Sequence, residues 1–315
     1  MSGAVLESER PRSLEALVEL ACRRGPVRMA IAAADESCCL RAAAEAAQLG
    51  IAIPILVGAR ERIRRAADQA RLSLDGLELV ETDDDAGAAA AAVAVRMVHD
   101  GAADLLMKGA LHTKVFMQAV VHREFGLRSR GVLSHVAAFE APGGDRLVLL
   151  TDAALNVNPH FNRKIEIVSN AVAVARRLGV ARPKVAVLAA VEKLDLPAMQ
   201  TTLHAEMLRR LGEAGQFGDC IVAGPISLDI ALSADRSAIK GAANPVAGAA
   251  DVLVASNFET ANALYKSMTC IAAKEMAGAV VGAKGPLILT SRADTARTKL
   301  YSIAFAALLS EEQPS

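Results

Sequence analysis

Ser291, Arg292 and Asp294 put a hydroxyl, a guanidinium and a carboxylate within four residues, directly after the apolar run "PLILT" (286–290). They stand where a long helical segment opens, and two kinds of work fit that place. Ser291 suits a helix N-cap, with Asp294 three residues on as its capping-box partner. The start of a helix also presents unpaired backbone N–H groups and partial positive charge, which favour an anion. The planar fork of Arg292 matches phosphate oxygens. Capping and anion binding do not exclude one another.

Other polar residues also stand where apolar runs stop. Lys108 and Gly109 end one run, and Thr113 follows in "ALHTK". Asp152 ends another and is followed by Asn156. "GPISLD" (224–229) supplies Gly224, Pro225, Ser227 and Asp229, and "SNFETAN" (256–262) ends on Asn262. In an open parallel sheet, ligands sit beyond the carboxyl ends of the strands. Each residue also has a local explanation. Lys108 reads equally as a surface lysine. Asp152 and Asn156 suit turn caps. Pro225 suits the first turn of a helix.

The elements that must hold these residues are strands alternating with helices. Strands are expected at 27–34, 51–58, 77–80, 104–109, 184–191, 219–224, 250–256 and 286–290. Helices are expected at 36–50, 83–101, 159–178, 197–211, from about 226, at 259–277 and at 292–309. In the last helix Ala296, Leu300, Ile303 and Ala307 form an apolar stripe at helical spacing. The stretch 131–152 reads as two consecutive strands joined by Pro-Gly-Gly, a turn signal. Alternation with short links implies parallel strands crossed over by helices, and the hairpin marks the seam between two such layers.

Composition narrows the function. The chain has 315 residues, 53% of them hydrophobic, no Trp, and 35 basic against 35 acidic side chains. There is no basic excess to track a nucleic acid. Cys22, Cys38, Cys39, Cys220 and Cys270 have no metal-ligand or disulfide spacing and read as free thiols. Uncharged runs fall short of the roughly 20 residues a membrane helix needs, and the N-terminus has no signal-peptide core. The expectation is a cytoplasmic protein that engages neither membrane nor nucleic acid. GxxxxGK[ST], HExxH and GxSxG patterns are absent, and the histidines show no metal-like pairing.

Taken together, "LLMKGALHT" (105–113), "LSHV" (133–136), "LLTDAALNVNP" (149–159), "GPISLDIALS" (224–233), "NPVAGAADVLVASNFETANALYK" (244–266) and "PLILTSRADTARTKLYSIA" (286–304) resemble the phosphate acetyltransferase and butyryltransferase family. The wording of "GPISLD" and "TSRAD" is closer to the butyryl branch. The resemblance implies an α/β fold. Two α/β/α domains with mainly parallel sheets would flank an interdomain cleft, as in isocitrate and isopropylmalate dehydrogenases. Residues 1–133 with 285–315 would form one domain and 134–284 the other. The resemblance implies a homodimer and no bound cofactor or metal. Coenzyme A, acyl-CoA and inorganic phosphate would be substrates, exchanged directly in a ternary complex to give acyl phosphate.

The resemblance also implies roles. Ser291 and the amides after it would stabilise the oxyanion of the tetrahedral centre, and Arg292 would hold phosphate. Lys108, Thr113, Asp152, Asn156, Gly224, Pro225, Ser227, Asp229, Asn244, Pro245, Gly248 and Asn262 would bind substrate. Arg128 and Arg130 would meet the phosphates of coenzyme A. The acetyl branch carries its proposed base seven residues after the serine, and that position here is Thr298. Asp294 is the substitute, although a cap explains it equally. A thiol of pKa about 8.5 needs only modest help near neutral pH. Two other readings stand beside this one. One is a decarboxylating dehydrogenase that uses NAD and a metal. The other is a non-catalytic protein that binds coenzyme A or acyl phosphate.

Overall fold

The computed structural model of the chain describes residues 9–83, 87–129, 131–241, 244–291 and 293–310. In chain order these form α1 Leu14–Arg24, β1 Val27–Ala32, α2 Ser37–Gln48, β2 Ala52–Gly58, α3 Arg60–Ala70, β3 Glu78–Glu81, α4 Ala88–His99, β4 Leu105–Lys108 and α5 Thr113–Val120. Next come β5 Ser134–Glu140, β6 Leu147–Thr151, α6 Phe161–Arg177, β7 Lys184–Leu188, α7 Gln200–Glu213, β8 Ile221–Ile226, α8 Leu228–Leu232, α9 Ala234–Ile239, β9 Val252–Val254 and α10 Phe258–Lys266. The chain closes with β10 Ala277–Val281, β11 Leu287–Ile288 and α11 Ala296–Leu309.

Contacts divide the chain into a central unit, Met1–Leu14 with Ser134–Met276, and a terminal unit, Glu15–Leu133 with Ala277–Ser315. Two segments lie on the other side of the expected boundaries. Arg10 pairs with Asp251 at 2.6 Å, and the Leu14 amide donates to Glu140 Oε1 at 3.1 Å, which ties this stretch to the central unit. Residues 277–281 form β10, which pairs antiparallel with β11 in the terminal unit.

In the terminal unit the strand order is β3-β2-β1-β4-β11-β10. The first five run parallel. The hydrophobic residues of β1 and β4 are buried, as befits parallel strands covered on both faces. In α11, residues 298 to 309 are all buried. The expected one-sided stripe is therefore a helix buried all round, packed against α2 and β10. Its polar residues find partners inside: Ser302 Oγ donates to the Thr298 carbonyl at 3.0 Å and accepts from the Gly278 amide at 3.0 Å.

In the central unit the order is β5-β6-β9-β7-β8. β5 and β6 form the expected antiparallel hairpin, and the other pairs are parallel. Gly143 and Gly144 take positive φ in its turn, which glycine allows without Cβ strain. The expected helix 259–277 is divided. α10 stops at Lys266, a π-helical turn covers Ser267–Ile271, and the chain then becomes strand β10. Alanine favours helix and hides this strand. Gly278, Val280 and Val281 fit a strand paired with β11 better.

Candidate active site

β1, β4 and β11 are parallel neighbours, so their carboxyl ends share one edge of the terminal unit. Met107 is opposite Ile288 and Lys108 is opposite Ala32. The loops that leave these ends are joined closely. The Gly109 and Ala110 amides each donate at 2.8 Å, to the carbonyls of Ala32 and Ala33. A Cβ on Gly109 would stand 2.0 Å from the Ala33 carbonyl oxygen, so only glycine fits.

Ser291 sits at this edge, but in a turn rather than at the helix tip. Helix α11 begins at Ala296, and Thr295 is its cap, accepting from the Thr298 amide at 3.0 Å. The expected start at 292 and the Ser291 cap are corrected accordingly. The reciprocal pair survives in the preceding turn: the Ser291 amide donates to Asp294 Oδ2 at 2.7 Å and the Asp294 amide to the Ser291 carbonyl at 3.1 Å. Ser291 Oγ accepts from the Ala293 amide at 3.3 Å. Thr298, the position of the acetyl-branch base, is buried in the cap of α11. Arg292 lies outside the described residues, as does Arg130.

Two buried lysines support this edge. Lys108, expected equally as a surface residue, is 6% exposed, and its ammonium donates to the carbonyls of Gly109 at 3.1 Å and Leu111 at 3.3 Å. Lys299 is 1% exposed. It donates to the Ser291 carbonyl at 2.7 Å and to Thr290 Oγ1 at 3.3 Å, and Glu36 Oε1 lies 3.2 Å away. Cys38 Sγ approaches the Asp294 carbonyl at 3.4 Å. Burial pushes the Cys38 thiol up, and pushes that of Cys39, beside Met107, to about 12. The sequence reading missed Lys299, Glu36 and Cys38. Lys299 stands three residues after Ala296 and four before Ile303, on the face that the apolar stripe marks, and that spacing is the signal that could have found it. Of the other expected residues in this unit, Thr113 is exposed at the first position of α5. Arg128 is exposed and pairs by its backbone with Ala283.

In the central unit the carboxyl ends of β6, β9, β7 and β8 likewise share an edge. Asp152 and Asn156 are buried, and their polar groups meet one another. Asp152 Oδ1 accepts from the Ala154 and Leu155 amides at 3.0 Å, and Oδ2 accepts from Asn156 Nδ2 at 2.5 Å. This is an Asx turn that shapes the loop after β6. Asn262 on α10 donates to the Ala153 carbonyl at 3.0 Å and braces the same loop.

After β8, Ser227 Oγ lies between two carboxylates, Glu192 at 2.5 Å and Asp229 at 2.7 Å. Lys240 reaches Asp229 at 2.9 Å. The hydrogen bond from Ser227, followed by that from Lys240, lowers the Asp229 carboxyl to about 2. Gly224 lies tight against Val187 and Ala205, where a Cβ would come within 2.9 and 3.2 Å. Pro225 follows it through a cis peptide. Asn244 caps the next turn, accepting from the Val246 and Ala247 amides at 3.0 Å, with Pro245 exposed between them. At Gly248, φ is +69° and a Cβ would meet the Ala234 backbone at 2.5 Å. The expected substrate-binding residues thus form two local groups here, 152–156 with Asn262, and 224–229 with 244–248. Among the described residues no group of three or more His, Cys, Asp or Glu is placed to hold a metal ion, and no helix is long and apolar enough to cross a membrane.

Comparison with known proteins adds identity to this geometry. The profile of the family described as Phosphate acetyl/butaryl transferase matches residues 88–307. Phosphate butyryltransferase of Clostridium acetobutylicum is 42% identical over 282 residues, covering 90% of this chain and 93% of that protein. Phosphate acetyltransferase of Rhizobium meliloti is 38% identical over 299 residues, covering 95% and 94%. Among solved structures, a branched-chain phosphotransacylase from Enterococcus faecalis aligns with a TM-score of 0.80 at 31% identity, covering 91% of this chain and 100% of that one.

Proposed function

We propose that this chain, which belongs to the phosphate acetyl/butyryl transferase family and is a phosphate acyltransferase, exchanges a short acyl group between coenzyme A and inorganic phosphate, with butyryl preferred to acetyl. The observation that carries the reading is the family match across residues 88–307, a segment that contains the Ser291–Asp294 turn. The Clostridium relative supports the butyryl preference; acetyl is the second reading, supported by the Rhizobium relative. With acyltransferases at this identity along nearly the whole chain, neither a decarboxylating dehydrogenase nor a non-catalytic binder is favoured.

In the forward direction a phosphate oxygen attacks the thioester carbonyl. The carbon–oxygen bond forms, negative charge passes to the carbonyl oxygen, and the carbon–sulfur bond then breaks. The thiolate of coenzyme A leaves and takes up a proton. The Ser291 hydroxyl is assigned to the developing oxyanion, where a fixed donor lowers the barrier; the Ala293 and Asp294 amides, expected to share that work, already donate within the turn. Arg292 is assigned to phosphate. Asp294 holds the turn and stands close enough in sequence to serve the thiol. Lys108 and Thr113 are assigned to substrate binding, and Arg128 and Arg130 to coenzyme A. The groups at 152–156 with Asn262, at 224–229 and at 244–248 are assigned to substrate binding.

Thiol release from acetyl-CoA and butyryl-CoA, with and without phosphate or arsenate, tests the reaction. Release that ignores phosphate, or none at all, sinks it. Turnover across C2 to C5 acyl-CoA tests the chain-length preference. The remaining proposals are a cytoplasmic homodimer that needs no bound cofactor or metal. Light scattering, cell fractionation and turnover after EDTA treatment test these in turn.

A further inference from the structure

Lys299 lies in the first turn of α11, the end of a helix where the dipole disfavours a cation. It is nevertheless buried, and an ammonium tolerates burial only among oxygens that oppose its charge. Glu36, which closes the loop after β1, supplies the carboxylate, 3.2 Å away in an ion pair. Two of the ammonium N–H groups go to one short stretch of chain, Thr290 Oγ1 and the Ser291 carbonyl. The backbone of Ser291 is then held on both sides, its carbonyl by Lys299 and its amide by Asp294. Its hydroxyl accepts from the Ala293 amide, and among the described residues the hydroxyl hydrogen has no acceptor. The backbone is fixed while the reactive group is left uncommitted.

We propose that Lys299, charge-balanced by Glu36, is a positioning residue for acyl transfer: it clamps the Thr290–Ser291 backbone so that the Ser291 hydroxyl keeps the orientation the reaction needs. The clamp rests on the role assigned to Ser291 above. It acts through Ser291 and not by touching substrate, so its effect belongs in turnover rather than in affinity. A reacting group displaced by about 1 Å loses on the order of 10²-fold in rate.

The experiment is a cycle of Lys299→Met, Ser291→Ala and the double variant, measuring kcat, KM for acyl-CoA and phosphate, and thermal midpoint. The expected result is a fall of about 10²-fold in kcat for Lys299→Met. KM should stay within about threefold, and adding Lys299→Met to Ser291→Ala should cost under about threefold more. Parent-like kcat in Lys299→Met overturns the clamp. So does an equal cost in both backgrounds, because a residue that only stabilises the fold acts independently of Ser291. If Lys299→Met does not fold, Glu36→Gln keeps the shape and removes the counter-charge. Its kcat should fall at least tenfold with KM held, and an unchanged kcat again overturns the clamp. An unchanged kcat in Ser291→Ala sinks the assignment of Ser291 and the clamp with it. Loss in Ser291→Ala with none in Lys299→Met sinks the clamp alone.

Discussion

Asp294 Oδ2 accepts the Ser291 amide at 2.7 Å, in a turn that is complete before α11 begins. Thr295 has taken over the capping of that helix, so the carboxylate is engaged with the serine rather than with the helix. One oxygen of Asp294 is thereby committed to geometry.

That commitment separates two roles. Asparagine at 294 keeps an acceptor for the Ser291 amide but cannot take a proton. If Asp294 acts by holding the turn, Asp294→Asn should retain kcat within about fivefold while Asp294→Ala loses about 10- to 100-fold, a range consistent with misplacing a reacting group. If it is the base for the thiol, both should lose alike. Steady-state thiol release from butyryl-CoA at saturating phosphate decides between them.

Gly109 carries a stability prediction. The oxygen its Cβ would meet at 2.0 Å is main-chain, at Ala33, a residue with φ of +54° at the end of β1. No side chain can rotate away to make room. Gly109→Ala should destabilise the chain by about 3 kcal/mol, the upper range for overpacking. Urea unfolding would read this as a lower midpoint, and an unchanged midpoint would show that the loops after β1 and β4 separate easily.

The thiols should divide by environment. Cys270 is exposed, whereas Cys39 is fully buried and lifted to about 12. The thiolate is the reactive form, so iodoacetamide at pH 8 should label Cys270 within minutes and leave Cys39 unlabelled in the folded chain. Cys38 is partly buried and also raised, and should react more slowly than Cys270. Because Cys38 lies against the Asp294 carbonyl, activity should fall with labelling of Cys38 and not with that of Cys270. Mass spectrometry of timed samples checks the order.

The alternation of strands and helices is legible in the sequence because parallel strands covered on both faces read as unbroken apolar runs, as residues 105 to 107 do. β10 is not legible, since Ala277, Gly278 and Ala279 carry too little side chain to signal a period. The Ser291–Asp294 pairing is legible as a spacing, but the place of the helix start is not. Thr295 offers a second cap four residues later, and only packing chooses between them. Asp152 and Asn156 show the reverse: both candidate interpretations are visible in sequence, and the structure resolves the local one in hydrogen bonds. Lys299 is hidden for a different reason. A charge becomes tolerable inside a helix only when a distant carboxylate meets it, and nothing near Lys299 in the chain announces Glu36.

Ser227, Asp229 and Lys240 give the last prediction, a dependence on pH with a definite sign. The Asp229 carboxyl is held at about 2 in the folded chain, against an ordinary 3.8. A carboxyl lowered in this way stabilises the fold while it is ionised. Its contribution is complete above its ordinary value and is lost as pH falls through the folded one. The thermal midpoint of the parent should therefore exceed that of Asp229→Asn by a constant amount from pH 7 to about 5, and the two should converge as pH approaches about 2. Lys240→Ala removes the cation at 2.9 Å, so in that background convergence should begin at higher pH. A gap that widens in acid would mean that Asp229 is held in its neutral form, and the role given to Ser227 and Lys240 would have to be abandoned.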